Sequence, residues 1–255
     1  MIDTTQDDLT ASLIDAMLEA RRSGRPVDAR GYTGAAFSER DAYAVQAGIV
    51  AACGPVGGFK VANKPDAPRI MAPILAADVM THPAELVVPA GEPIGIELEI
   101  GFRVDAPLPP RDAPDRRLRV AECISALPVI EVVRTRFNGE ASPLLKLADN
   151  QINGGLVLGA PVKDWQDLPM GAVQASLRAG DTVLLDGAAQ VPGGDAFENF
   201  LALEEMVGDH CGGLTVGQVV ITGSLNGLPY VETEAAILGR IDGLGEVSLH
   251  LGRLG

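Results

Sequence analysis

The chain has 255 residues, 47% of them apolar and only 4% aromatic, so a packed core must be built mainly from Ala, Val, Leu and Ile, in one large domain or two small ones. A formal net charge of −14 and a sequence pI of about 4.6 set up a field that repels a phosphate backbone, which argues against nucleic acid as a partner. No apolar run approaches the roughly 18 residues of a membrane-spanning helix, so no membrane partner is expected.

Thirty glycines and 18 prolines point to tight turns and short strands rather than a helical bundle. Cys53, Cys123 and Cys211 have no CxxC spacing and read as reduced thiols, and Met1 to Asp8 is polar and acidic, unlike a signal peptide. Both features lead us to expect a cytoplasmic protein.

In chain order, Leu9, Leu13, Met17 and Ala20 recur at helical spacing and predict a helix over Asp7 to Arg22, with Thr5 and Asp8 as a capping pair. Ser38 and Asp41 open a second helix that Gly54-Pro55 ends. Strands are expected over Gly58 to Ala62 and Glu85 to Val88. From Ile94 to Val104 apolar residues alternate strictly with Gly95, Glu97, Glu99, Gly101 and Arg103, which predicts a strand with one buried face. Pro107 to Arg117 reads as a surface loop, Arg119 to Leu127 as a helix and Pro128 to Phe137 as a strand. Strands and turns fill Gly154 to Val191. Asp195 caps a third long helix that ends near Gly212-Gly213, and Gln218 to Thr222 and Glu246 to Leu251 are late strands. The order is that of an α+β fold, not of regular βαβ units. Residues 1–55 are expected to form a helical N-terminal section and 56–255 a β-rich catalytic domain.

Familiar cofactor motifs fail. Ser248 stands where a dinucleotide fingerprint after Gly243 and Gly245 needs Gly or Ala, and Phe59 breaks a P-loop before Lys60. Thr222-Gly-Ser224-Leu-Asn226 is not a nucleophile elbow. His82, His210 and His250 are isolated, without zinc-site spacing.

Carboxylates carry the chemistry that remains. Glu97 and Glu99, two apart on a strand, point to one face with Cα atoms roughly 6.5 Å apart, close enough to converge on one hard cation. They could equally be an ordinary pair on a solvent-facing strand. Glu131 lies in the apolar run Pro128-Val-Ile-Glu131-Val-Val133, where a charge is costly unless compensated. A shared metal would compensate it; so would Arg134 or Arg136, although a regular strand turns both to the opposite face. An all-oxygen donor set favours Mg²⁺ or Mn²⁺ over Zn²⁺. Lys60, lone in an apolar Gly-flanked strand, is either a snorkelling surface lysine or the cation that an anionic substrate needs near three carboxylates.

These residues resemble the 2-oxopent-4-enoate hydratase / 4-oxalocrotonate decarboxylase family of the fumarylacetoacetate hydrolase superfamily. Asp41-Ala-Tyr-Ala-Val-Gln46 is similar to the family's N-terminal helix signature, Gly58-Phe-Lys60-Val61 to its Gly-x-Lys-Ile strand, and Glu97-Leu-Glu99-Ile-Gly-Phe102 to its Glu-x-Glu-Ile-Ala-Phe strand. Glu131 falls at its third ligand, Ala148-Asp149-Asn150 at its Ala-Asp-Asn loop, and Thr222-Gly-Ser224 at a late turn. The resemblance implies a rolled mixed β-sheet core and a homo-oligomer. It also implies Mg²⁺ or Mn²⁺ held by Glu97, Glu99 and Glu131 and bound to the carboxylate and 2-oxo oxygens of a small 2-oxo or 2-hydroxydienoic acid. Lys60 and Asp78 match positions of proton transfer or substrate orientation, and Ser224, Asp149 and Asn150 match substrate-contacting positions. Hydration of a short 2-hydroxydienoate, as in aromatic meta-cleavage catabolism, is the first activity implied. Decarboxylation of a 2-oxo dioate and acylpyruvate hydrolysis are alternatives, and a non-catalytic member that binds a small acid or stabilises an oligomer is a third. The chain departs from the family at Val61-Ala-Asn-Lys64 (Ile-Gly and then Thr-Ser in the family), at Arg134 (Asp) and at Ala202-Leu-Glu-Glu205 (Trp-Leu-Ala-Asn).

Overall fold

The computed structural model describes residues 6–32 and 37–254. Helix α1 (Gln6–Ser23) leads through strand β1 (Val27–Asp28) to α2 (Glu39–Cys53). Then come β2 (Val56–Ala62), β3 (Ile70–Leu75), β4 (Val79–Thr81), β5 (Ala84–Pro89), β6 (Ile94–Val104), α3 (Arg116–Glu122), β7 (Ile124–Val133) and β8 (Phe137–Asn138). The chain continues with α4 (Pro143–Ala148), β9 (Asn153–Leu158), β10 (Ala172–Ala179), β11 (Thr182–Gln190) and α5 (Ala196–Val207). It closes with β12 (Val219–Ser224), β13 (Tyr230–Val231), β14 (Ala235–Ile241) and β15 (Gly245–Leu254).

The main sheet runs β3-β2-β12-β6-β7-β9-β4, with antiparallel and parallel pairs mixed. It rolls on itself. Ile74, Leu127, Val129, Leu156, Val219 and Ile221, from four of its strands, meet in one buried cluster on the inner face. A second sheet, β11-β10-β14-β15-β5, packs on the outer face. There Ile96, Leu98, Ile100 and Phe102 of β6 join Val173, Leu177, Ile237 and Val247 in the largest core cluster. The expected strand at Ile94 to Val104 is therefore present, but both of its faces are covered, one by the second sheet and one by the inside of the roll. The α+β architecture with a curled mixed sheet agrees with the expected fold class.

Local chemistry explains most boundaries. Ser38 and Asp41 form a reciprocal capping box on α2, and the Asp195 side chain accepts from Phe197 N and Glu198 N at the start of α5. Helix α5 ends at Val207, before the expected Gly212, where Gly208 takes a positive φ of 47°. The expected helix over Arg119 to Leu127 stops at Glu122, and the following strand starts at Ile124, not Pro128. Pairing with Val104 through Leu98 extends β7 through a segment whose local pattern is ambiguous. The proposed Thr5 cap lies outside the described residues.

Aromatic residues are few and concentrated. Phe102 meets Trp165 at 4.9 Å and Phe200 at 5.7 Å between ring centroids, and Trp165 meets Phe197 at 5.0 Å. These contacts fasten α5 onto β6. Helices α1, α2 and α4 form a separate cluster around Leu13, Met17, Val45, Ile49 and Leu145; buried Gln46 donates to Leu147 O of α4 at 2.7 Å and ties the cluster to the sheet by donating to Met71 O at 3.3 Å. No described helix is long and apolar enough to cross a membrane.

Candidate metal centre

Inside the roll, β6 and β7 are antiparallel neighbours with Glu97 directly opposite Glu131. Glu99 lies two residues along the same face, opposite Ser224 of β12. Period-two geometry thus turns all three carboxylates inward. Each offers an oxygen within 4.8 Å of the others; Glu131 is fully buried and Glu99 nearly so.

Lys60 reaches them from β2. Its ammonium donates to Glu131 Oε1 at 2.6 Å, to Glu131 Oε2 at 2.8 Å and to Gln151 O at 3.2 Å. The partner of Glu131 is therefore this lysine. Arg134 instead pairs with Glu92 through Nη2 at 2.9 Å, and Arg136 with Asp149 at 2.5 Å. Lys60 is 9% exposed, so it is no snorkelling surface residue. Burial pulls its pKa down, and Glu131, Glu97 and Glu99 more than offset that, so the net shift is upward.

The remaining contacts hold the acids in place. Asn153 donates its side-chain amide to Glu131 Oε1 at 2.8 Å. Between Ile221 and Ser224 the β6–β12 register shifts, and this irregularity turns the Gly223 N–H onto Glu99 Oε2 at 2.6 Å. Asn226 acts as a surrogate strand: its side chain accepts from Leu98 N at 2.8 Å and donates to Ile96 O at 3.0 Å, gripping the backbone on both sides of Glu97.

Three carboxylates and one ammonium leave two negative charges in a shielded place. Burial and then repulsion from Glu131 push the Glu97 carboxyl up to about 7 and the Glu99 carboxyl well above its usual range. The deficit is that of a divalent cation, and the donors are all hard oxygens, so the residues fit Mg²⁺ or Mn²⁺.

A cavity of about 420 Å³ opens beside the cluster, lined among others by Lys60, Lys64, Gln151, Pro192, Ser224 and Leu228. Ser224 stands in the cavity wall, donating to Gly227 O at 2.6 Å. Asp149 and Asn150 do not line it. Both are buried beneath it, Asp149 bound to Arg136 and Asn150 donating to Pro73 O at 3.0 Å. Asp78 lines a neighbouring cavity of about 600 Å³ with Arg21, Arg134 and Arg136. Burial raises its pKa, and the charges acting against that are Arg21 and Arg136 rather than Lys60. Sequence reasoning missed Asn153, Gln151 and Asn226, which are polar residues in turns or strand ends, where such residues are ordinary.

No family model matches the chain. A curated relative, 2-keto-4-pentenoate hydratase 1 of Dechloromonas aromatica (strain RCB), is 29% identical over 183 residues, 69% of this chain and 67% of its own. Among solved structures, 4-oxalocrotonate decarboxylase from Pseudomonas putida G7, complexed with magnesium and adipate, superposes with a TM-score of 0.77 at 20% identity over 97% of this chain and 98% of its own. Both likenesses support the resemblance to the 2-oxopent-4-enoate hydratase / 4-oxalocrotonate decarboxylase family. A further solved enzyme shares the fold more loosely. Fumarylpyruvate hydrolase from Pseudomonas aeruginosa, in complex with Mn²⁺ and pyruvate, gives a TM-score of 0.55 at 17% identity over 77% of this chain and 89% of its own. Against that family's pattern, Arg134 is accommodated by its bidentate pairing with Glu92.

Proposed function

We propose that this protein is a divalent-metal-dependent lyase that hydrates a short 2-hydroxydienoate to a 4-hydroxy-2-oxo acid. The observation that carries the reading is the convergence of Glu97, Glu99 and Glu131 within 4.8 Å beside an open-sided cavity. Glu97, Glu99 and Glu131 would hold Mg²⁺ or Mn²⁺, which supplies Lewis-acid polarisation of a 2-oxo acid when bound.

The chain's own residues do the rest. Lys60 spends its three N–H groups on Glu131 and Gln151 O; it balances charge at the cluster and is our assignment for proton transfer to substrate. Ser224 is the assigned contact for the substrate carboxylate, for which its hydroxyl would turn away from Gly227 O. Asp149 and Asn150 orient the turn above them, and Asp78 keeps a positioning part through Arg21. Val61, Val133 and Leu228 in the cavity wall exclude bulk water around the carbon chain. The name of the curated hydratase relative supports hydration. The near-complete superposition on a 4-oxalocrotonate decarboxylase supports the second reading, decarboxylation of a 2-oxo dioate at the same carboxylates. We also propose a cytoplasmic homo-oligomer.

The test is turnover of 2-hydroxypenta-2,4-dienoate, followed by loss of its ultraviolet absorbance, with Mg²⁺, with Mn²⁺ and with chelator. Metal-dependent loss of absorbance is expected. Turnover that persists in chelator, or turnover of no 2-oxo acid under any condition, defeats the proposal.

A further inference from the structure

Gln151 carries a buried amide nitrogen with no hydrogen-bond partner, and it stands in the wall of the carboxylate cavity. Apart from charged Lys64, the other polar side chains and the Gly223 N–H of that wall are engaged. Asn63 donates to Asn199 at 2.9 Å and accepts from Arg69 at 2.9 Å, Ser224 donates to Gly227 O, and the Gly223 N–H goes to Glu99. A buried N–H left unmade is costlier than one exposed to water. Because Gln151 lines the cavity, a turn of its side chain would bring this N–H to whatever fills that space.

The backbone fixes this donor firmly. Asn150, Gln151 and Ile152 all take left-handed conformations, with φ of 50°, 49° and 54°, a run that a β-branched isoleucine strongly disfavours. Strain of this kind persists where surrounding contacts over-determine it, often at ligand sites. Here Ile152 N donates to Asp149 O and Arg134 N to Ile152 O, both at 2.8 Å. Asn150 holds Pro73 O, and Lys60 holds Gln151 O at 3.2 Å. The same lysine that braces Glu131 thus braces Gln151.

We propose that Gln151 sets substrate specificity: its side-chain N–H donates to an oxygen on the part of the acid beyond carbon 3. This rests on the function proposed above, in which the carboxylate and 2-oxo oxygens are taken by the glutamate end. The remainder of the wall is largely apolar, with Val61, Val133, Ile152, Pro192 and Leu228. Gln151 is then the group that separates an oxygenated tail from a hydrocarbon one. The oxygen has two chemical sources, a hydroxyl on carbon 4 or a terminal carboxylate.

Calorimetric titration in Mg²⁺ of 2-oxopentanoate, 4-hydroxy-2-oxopentanoate and 2-oxopentanedioate tests this. The wild type is expected to bind one of the two oxygenated acids about tenfold more tightly than 2-oxopentanoate, the worth of one buried hydrogen bond. Which acid gains identifies the source. Gln151→Leu should bring that acid to the level of 2-oxopentanoate and leave 2-oxopentanoate itself unchanged, with Gln151→Met giving the same answer if leucine disturbs the turn. Equal binding of all three acids by the wild type, a preference that survives Gln151→Leu, or one abolished by Lys64→Met alone overturns the assignment. No binding of any acid with Mg²⁺ or Mn²⁺ overturns the metal reading and this assignment with it.

Discussion

Glu97 and Glu131 face each other across two paired strands, and Glu99 joins them from one side. Without a cation the arrangement is costly, because burial and mutual repulsion act together on the acids. Glu97→Gln is therefore expected to raise the stability of the chelator-treated protein by about 1–3 kcal/mol while removing metal uptake and activity. Urea titration in chelator and calorimetry with Mn²⁺ check the two halves separately. Lys60→Met has the opposite effect on the metal-free protein. It leaves fully buried Glu131 without its ammonium, a loss of about 3–5 kcal/mol, and lowers turnover by about 10²-fold or more. The carboxylates and Lys60 were legible in the sequence because a charge inside an apolar strand needs an explanation. Gln151 and Asn153 were not: nothing local marks which polar residue beside a strand will meet a buried acid.

At the scale of elements, glycines let the strands come close enough to carry the site. A Cβ at Gly58 would sit 2.2 Å from Val219 O, in the parallel pairing of β2 with β12 that places Lys60. Gly58→Ala should separate these strands and lower stability by about 2 kcal/mol or more, with activity falling further than stability because Lys60 moves; melting curves and turnover on the same preparation separate the two. By contrast, Asp195→Ala removes the α5 cap at a side chain that is not part of the cavity lining. It should cost about 1 kcal/mol and leave turnover at saturating substrate unchanged. Caps and alternation were readable because they are local. The β7 start at Ile124 was not, since long-range pairing with β6 overrides the helical look of Arg119 to Leu127.

Over the whole molecule, one rolled sheet divides its interior between an apolar half, around Leu127, Val129, Val219 and Ile221, and a charged half at the cavity. Binding a cation to the charged half couples folding to metal concentration. At a hundredfold excess over Kd, Mg²⁺ or Mn²⁺ should stabilise the protein by about 2.7 kcal/mol, read as a rise in Tm of roughly 5–10 °C that chelator reverses. Unchanged melting with both ions would remove the basis for the proposed activity. The α+β class, the acidic surface, the helix caps and the long strand with its two glutamates followed from the sequence, because composition and short-range periodicity encode them. Tertiary structure alone decided that both faces of that strand are covered, that Lys60 rather than Arg134 or Arg136 answers Glu131, and that Asp78 sits in a neighbouring cavity. Those outcomes depend on how the sheet curls, and curling brings together side chains whose separation along the chain says nothing of their distance in space.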